Sequence, residues 1–268
     1  MPELPELEVW KSILAERILN VPIKTVIVKK PMVFRCLIES FKTELIGSRF
    51  TQIQRRGKFL LFFTEPEKIL VANLMLSGRF QLIPPPTRFK PATCFQIVFT
   101  NGTEWRYYDQ KLMGRIYFVT SGELPTIPQF NDLGIEPLTP DFTREWFQNQ
   151  MRSRRGMIKN VLTNQNFIAG IGNAYADEIL FDAGILPLRK ASSLSDDETN
   201  RLYESIGSVL KDAIHKIRQH LDTDLQLEKR EFLKIHTRGG QPCPQCGTAI
   251  SELRPAGKAT NFCRQCQR

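Results

Sequence analysis

The chain has 268 residues, 41% hydrophobic and 24% charged, a globular composition that excludes a disordered or fibrous protein. Its longest dense apolar run, Phe59-Leu60-Leu61-Phe62-Phe63, falls far short of the ~18 residues a bilayer span needs. The acidic, proline-broken start Met1-Pro2-Glu3-Leu4-Pro5-Glu6 is unlike a signal peptide, so a soluble, intracellular protein is expected. The net charge of +9 is uneven: residues 1–130 carry +7, 131–228 carry −4 and 229–268 carry +6. Two basic blocks suit a polyanion through counterion release, and they suit an ordinary solvated surface equally well.

Residues 5–20 predict a helix, with Leu7, Trp10, Leu14 and Ile18 on one stripe, Pro5 in the first turn, and Glu6 and Glu8 at the positive dipole end. Short β-branched or aromatic runs follow at 26–28, 59–63, 69–74, 95–100, 105–108 and 116–119. Gly47, Gly57, Gly78 and Pro84-Pro85-Pro86 punctuate them, and Asn101-Gly102 is a hairpin signal. A sheet, sandwich or barrel with the helix packed on it is expected. Cys36 and Cys94 in this region read as ordinary buried residues. Pro125, Pro128, Pro137 and Pro140 mark 124–141 as an interdomain linker. Helices are predicted over 142–150, 155–163, 173–183 and 195–220, the third closed by Gly184 and the last opened by a Ser195/Glu198 capping box. The tail from Thr237 reads as a small module of its own.

Four cysteines in that tail form Cys243-Pro-Gln-Cys246 and Cys263-Arg-Gln-Cys266, two C-x2-C knuckles able to converge on one Zn²⁺. So short a tail has too little apolar material to fold unaided, and metal binding would supply the deficit. Two disulfides are the competing reading, disfavoured without a signal peptide. Four thiolates close the site, which is then structural. Arg238, Arg254, Lys258, Arg264 and Arg268 decorate the module as a nucleic-acid-facing finger requires, and a protein-docking zinc ribbon is the alternative.

At the other end, removal of Met1 would expose Pro2 as a secondary amine with a reference pKa of ~8. Such an amine attacks an aldehyde-like carbon to give an iminium, with Glu3 and Glu6 as proton donor and acceptor beside it. Proline and glutamate are equally what any helix start prefers.

Pro2-Glu3-Leu4-Pro5-Glu6, Arg56-Gly57-Lys58, Leu133-Gly134-Ile135-Glu136-Pro137-Leu138, Ala169-Gly170-Ile171-Gly172-Asn173-Ala174-Tyr175 and the four-cysteine tail occur in one order. Together, over nearly the whole chain, they resemble the formamidopyrimidine-DNA glycosylase/endonuclease VIII family, and stand closer to its formamidopyrimidine-DNA glycosylase branch. The resemblance implies an α+β multidomain protein. An N-terminal helix plus β-sandwich would span 1–130, a helical helix-two-turn-helix domain 131–236, and a C-terminal four-cysteine zinc finger 237–268. It implies excision of oxidised bases, formamidopyrimidine and 8-oxoguanine-type purines foremost, then cleavage of the abasic site by β,δ-elimination. The implied partner is damaged double-stranded DNA, met by a monomer with no membrane association, cytoplasmic and nucleoid-associated, holding one structural Zn²⁺.

Carried over by the resemblance, Pro2 is the nucleophile toward C1′ of the damaged nucleotide, and Glu3 the acid/base at the sugar and iminium. Glu6 is a supporting carboxylate, and Lys58 holds a phosphate near the lesion. Asn173, opening a helix as a small polar cap, marks a phosphate site. Lys258 stands where the family has a finger arginine, and keeps the charge without the bidentate fork. Other departures fall on lesion-reading parts. Leu76 replaces a methionine that fills the space of the flipped base; Lys111 replaces an arginine probing the opposite base; Met113 replaces an aromatic wedge. The stretch between His220 and Thr237 is short, and His236 stands in place of a tyrosine near the phosphates. The expectation is retained chemistry with shifted substrate choice. A non-enzymatic binder of damaged or abasic DNA on the same scaffold is the alternative.

Overall fold

In the computed structural model, which describes residues 1–83, 88–220, 225, 230–257 and 259–268, the first helix, α1 (Leu4–Ile18), buries Leu7, Trp10, Leu14 and Ile18, the stripe its sequence predicts. Among the described residues eight strands follow, with one further α-helix among them: β1 (Ile23–Val28), α2 (Ile38–Leu45), β2 (Arg49–Arg56), β3 (Phe59–Glu65), β4 (Ile69–Asn73), β5 (Gly78–Ile83), β6 (Thr93–Phe99), β7 (Glu104–Asp109) and β8 (Arg115–Val119). They form two four-stranded antiparallel sheets, ordered β1-β6-β7-β5 and β2-β3-β4-β8. Asn101-Gly102 turns β6 into β7: the Gly102 N–H donates to the Phe99 carbonyl and Gly102 has φ +84°. Pro84, Pro85 and Pro86 lie outside the described residues.

Aromatic side chains from both sheets fill the sandwich. Trp105 on β7 lies 4.6 Å from Phe62 on β3, 5.1 Å from Phe80 on β5, and 5.7 Å from both Phe50 on β2 and Phe95 on β6. Such edge and tilted contacts add to a large apolar burial.

Three elements depart from the sequence pattern. Strand β2 escapes an alternation test because a bulge between Phe50 and Gln52 puts Phe50 and Ile53 on the same buried face. Strand β5 carries Gln81 inside, which hides its apolar face. Helix α2 is two turns long and buries only Phe41 and Leu45. Cys94 is buried as expected, but Cys36 is half-buried and lies outside the strands.

The chain divides into two units, Met1–Asn131 with Ile217–Lys229, and Asp132–Lys216 with Arg230–Arg268, so the break after Asn131 falls in the proline-rich stretch. The second unit holds α3 (Arg144–Arg152), α4 (Ile158–Leu162), α5 (Asn173–Asp182), α6 (Asp196–His220) as far as Lys216, and the hairpin β9 (Ser251–Leu253) and β10 (Thr260–Phe262). Helix α4 is shorter than predicted, since Gly156 sits at φ +102° and Met157 bridges to Lys190. Helix α5 ends as predicted: the Gly184 N–H donates to the Phe181 carbonyl and the Ile185 N–H to that of Leu180. Helix α6 opens with its capping box, Ser195 N–H on Glu198 Oε2 at 2.8 Å and Glu198 N–H on Ser195 Oγ at 3.2 Å. The motif Leu133-Gly134-Ile135 runs against residues 165–169; a Cβ on Gly134 would lie 2.1 Å from the Phe167 carbonyl oxygen, which explains the glycine.

The cysteine tail packs against the helical unit. Cys243, Ile250 and Cys263 share one apolar cluster with Phe181 of α5 and Ile235, with Cys266 against it. Its core is borrowed from the helical unit. In the first unit, Trp105→Ala is expected to cost about 3–5 kcal/mol, read by urea unfolding, because no neighbouring ring can close the cavity.

Candidate active site

The first turn of α1 is built from the residues singled out in the sequence. Pro2 is buried, and so are Glu3 and Glu6, at 3% and 2% exposure. Glu3 is the N-cap; its N–H donates to Glu6 Oε2 at 2.9 Å, and its carboxylate faces the Glu6 N–H in a reciprocal capping box. The same bonds that start the helix hold both carboxylates beside Pro2. Glu8 anchors this turn to the sheet, accepting from Arg55 Nε at 2.7 Å and pairing with Lys11. Burial would raise the Glu8 carboxyl, but Lys11 and Arg55 outweigh it and hold it below the usual range.

Sheet register places the remaining residues of this unit. Arg56 pairs with Phe59, Phe59 with Asn73, and Asn73 with Arg115, one row across four strands. The Gly57-Lys58 turn and the segments 74–77 and 110–114 therefore emerge at the same end of the sheet. Arg55 also donates to the Gly57 carbonyl at 3.1 Å, tying the Lys58 turn to the Glu8 side of α1. Leu76 and Met113 are exposed at 45% and 40%, unusual for large apolar side chains, and Lys111 is exposed between them in sequence. The structure thus brings Lys58, Leu76, Lys111 and Met113 to one end of the sheet, with the α1 start tied to the Lys58 turn through Glu8 and Arg55.

In the second unit, α5 begins at Asn173, where the sequence predicts it, but the cap differs. Gly172 is the N-cap, and Asn173 is the first helical residue, its amide nitrogen donating to the Ala259 carbonyl at 2.6 Å. Asn173 is therefore not the cap. His236 Nδ1 lies 2.8 Å from Asp177 Oδ2. Lys258 lies outside the described residues, as does half of the stretch between His220 and Thr237.

Sequence reasoning missed what organises this region. Asp177, fully buried on α5, also meets Lys159 Nζ at 2.6 Å, and Lys159 donates to the Ala259 carbonyl and Thr260 Oγ1, both at 2.9 Å. Its neighbour Glu178 accepts the backbone N–H groups of Lys234, Ile235 and His236 at 2.8–2.9 Å. A buried charge stays only where it is so paired. The available signal was two adjacent acids inside the apolar run 174–181, and a lone lysine inside 157–162.

The four Sγ atoms of Cys243, Cys246, Cys263 and Cys266 lie within 4.8 Å of one another, with Cys243–Cys266 at 3.8 Å and Cys246–Cys263 at 3.5 Å. A tetrahedral ion with metal–sulfur bonds of ~2.3 Å separates its sulfurs by about 3.8 Å. A disulfide needs ~2.05 Å, so the paired-disulfide reading is set aside. The cluster can coordinate one metal ion. Gln267 fixes the second knuckle, accepting the Cys263 N–H and donating to the Ile185 carbonyl, each at 2.8 Å.

An N-terminal sandwich, a helical unit and a four-thiol hairpin follow one another along the chain, with a buried Pro-Glu turn at the start. Family profiles match all three parts: the formamidopyrimidine-DNA glycosylase N-terminal domain over residues 1–116, the formamidopyrimidine-DNA glycosylase H2TH domain over 133–223, and a zinc finger found in FPG and IleRS over 240–268. The formamidopyrimidine-DNA glycosylase of Heliobacterium modesticaldum is 36% identical, with all of both chains covered. That of Pelotomaculum thermopropionicum is 34% identical, covering 100% of this chain and 99% of its own. Among solved structures, the Lactococcus lactis enzyme in complex with N7-benzyl-Fapy-dG containing DNA superposes with TM-score 0.91 at 28% identity, both chains covered in full. The same enzyme in complex with abasic-site DNA gives TM-score 0.90 at 27% identity, with 99% of each covered. The chain belongs to the formamidopyrimidine-DNA glycosylase family.

Glu8, held low in the folded state, contributes stability that is complete above its unfolded pKa of ~4.3 and is lost as pH falls through its lower folded value. Glu8→Gln should therefore flatten the loss of thermal stability on acidification, followed by melting from neutral pH downward. Cys263→Ser should abolish metal retention, read as metal per chain by mass spectrometry after gel filtration, and lower the melting temperature.

Proposed function

We propose that this chain excises oxidised purines from double-stranded DNA and cleaves the resulting abasic site by β- then δ-elimination, through a Schiff base on Pro2. The observation that carries the reading is the buried Pro2-Glu3-Glu6 turn, pinned through Glu8 and Arg55 to the sheet end that bears Lys58.

While Met1 is attached, the Pro2 nitrogen is an amide and carries no nucleophilic lone pair. Freed, it is a secondary amine with a reference pKa of ~8, partly unprotonated at neutral pH. The damaged nucleotide leaves the duplex, at a cost of a few kcal/mol that is smallest for a weakly paired base. The nitrogen lone pair attacks C1′ while the glycosidic bond breaks, and the base departs with the bonding electrons and takes up a proton. Glu3 gives a proton to the ring oxygen as the sugar opens to the iminium. Glu6, already bonded to the Glu3 N–H, fixes that carboxylate in place. Loss of a C2′ proton then expels the 3′ phosphate, a second elimination expels the 5′ phosphate, and water releases Pro2 from the iminium. Lys58 offers its charge to a backbone phosphate at the lesion.

The metal implied by four thiolates in a closed set is one structural Zn²⁺, which would hold the finger hairpin against α5 and take no part in the reaction. Asn173, His236 and Lys258 would meet DNA phosphates, and Leu76, Lys111 and Met113 would occupy the space the damaged nucleotide vacates. The protein would act as a monomer in the cytoplasm, on the nucleoid. Among the described residues no helix is long and apolar enough to cross a membrane.

Borohydride reduction with abasic duplex should trap a covalent protein–DNA adduct for protein shown by mass spectrometry to begin at Pro2. A variant with one extra residue ahead of Pro2 should trap none. Glu3→Gln should lose nicking by about 10²-fold or more while still binding abasic DNA. Wild-type protein that binds abasic DNA and never nicks it would return the non-enzymatic reading.

A further inference from the structure

The exposed side chains Leu76, Lys111 and Met113 sit on two loops that the topology forces side by side. Strand β4 pairs with β8 in one sheet, and β5 with β7 in the other. The chain therefore crosses between sheets twice at one corner, from β4 to β5 through 74–77 and from β7 to β8 through 110–114. Asn73 opposite Arg115 and Gly78 opposite Asp109 close that corner.

Adjacent loops need not move together, and here a single carboxylate joins them. Asp109 is fully buried. Its Oδ1 accepts from the Ser77 hydroxyl and from the Lys111 N–H at 3.1 Å; its Oδ2 accepts from the Gly114 N–H at 2.7 Å and the Tyr107 hydroxyl at 3.1 Å. Ser77 Oγ takes the same Lys111 N–H at 3.0 Å, closing a ring across the two loops. The Tyr107 hydroxyl reaches Asp109 through a slot between two glycines: an added Cβ would lie 2.4 Å from it at Gly78 and 1.8 Å at Gly114. Burial, and then the charge of Asp109, push the Tyr107 hydroxyl well above its usual range, so it stays a donor. Each loop also holds a non-glycine residue in the left-handed region, Met75 at φ 50° and Leu112 at φ 52°, a conformation that persists only under such constraint.

We propose that Asp109 is the positioning residue that makes the two loops one rigid wedge, so that Leu76, Lys111 and Met113 enter the base stack together when the damaged nucleotide leaves it. This rests on the DNA-repair reading above. Asp109 suits the task because an anion with two acceptor oxygens satisfies four donors from three directions. An asparagine would turn an NH₂ toward one pair of them.

The test compares Asp109→Asn, Ser77→Ala and Ser77→Thr with wild type. In Asp109→Asn, excision of an oxidised purine from duplex should fall by about tenfold or more, and rates opposite the four bases should converge, while borohydride trapping on a single-stranded abasic oligonucleotide, which has no stack to enter, stays within about twofold. Ser77→Ala should move the same way by less, and Ser77→Thr, which restores the hydroxyl, should return toward wild type. Hydrogen exchange reads the wedge without chemistry: residues 74–78 and 110–115 should exchange faster together, with β3 unchanged. Should Asp109→Asn fail to fold, Ser77→Ala carries both readouts. Equal losses on single-stranded and duplex DNA, or faster exchange in one loop alone or in neither, would overturn the proposal. Wild-type protein that traps no abasic DNA would instead overturn the proposed function, and the exchange result would still decide this one.

Discussion

Pairing register in the β2-β3-β4-β8 sheet is the constraint on which the first unit depends. With Arg56, Phe59, Asn73 and Arg115 in one row, the turn bearing Lys58 and both sheet-crossing loops must leave from a common end. A slip of one residue would bring Lys58 to the buried position of Phe59 in β3, or Arg115 to that of Ile116 in β8. Register is thus protected by the core, and the position of the reactive groups inherits that protection. Arg55 extends it to α1, since its side chain meets both Glu8 and the Gly57 carbonyl.

The second unit uses buried charge where the first uses register. Asp177 and Glu178 are neighbours on α5 but serve different segments, one meeting Lys159, His236 and Asn261, the other the backbone of 234–236. Either acid left alone in that interior would carry the full penalty of an unpaired charge. Their partners accordingly hold the His236 segment and the finger hairpin in fixed relation to one helix. Asn173, at the start of the same helix, adds a third tie through the Ala259 carbonyl.

What could be read from the sequence was local. The stripe of α1, the Ser195/Glu198 box, the Asn101-Gly102 turn and the two cysteine knuckles each lie within a few residues, where spacing maps directly to geometry. Ordered motifs then supplied the family and, with it, Pro2, Glu3, Glu6 and Lys58. The organising side chains stayed hidden because their partners are remote. Ser77 is 32 residues from Asp109, His236 is 59 from Asp177, and Thr260 is 101 from Lys159. Strand β2 was hidden for another reason, its bulge breaking the period that identifies a strand. Placing the cap at Asn173 rather than Gly172 came from weighting side-chain preference over backbone freedom, which a Gly-Ile-Gly approach supplies by itself.

The sulfur cage and the helical unit do not have separate interiors, since Cys243 and Cys263 pack in the same cluster as Phe181 and Ile235. Whatever drives these sulfurs apart, oxidant or chelator, also strips cover from two large hydrocarbon side chains. Damage to the thiols would therefore be felt first as stickiness, chains adhering through newly wetted apolar surface.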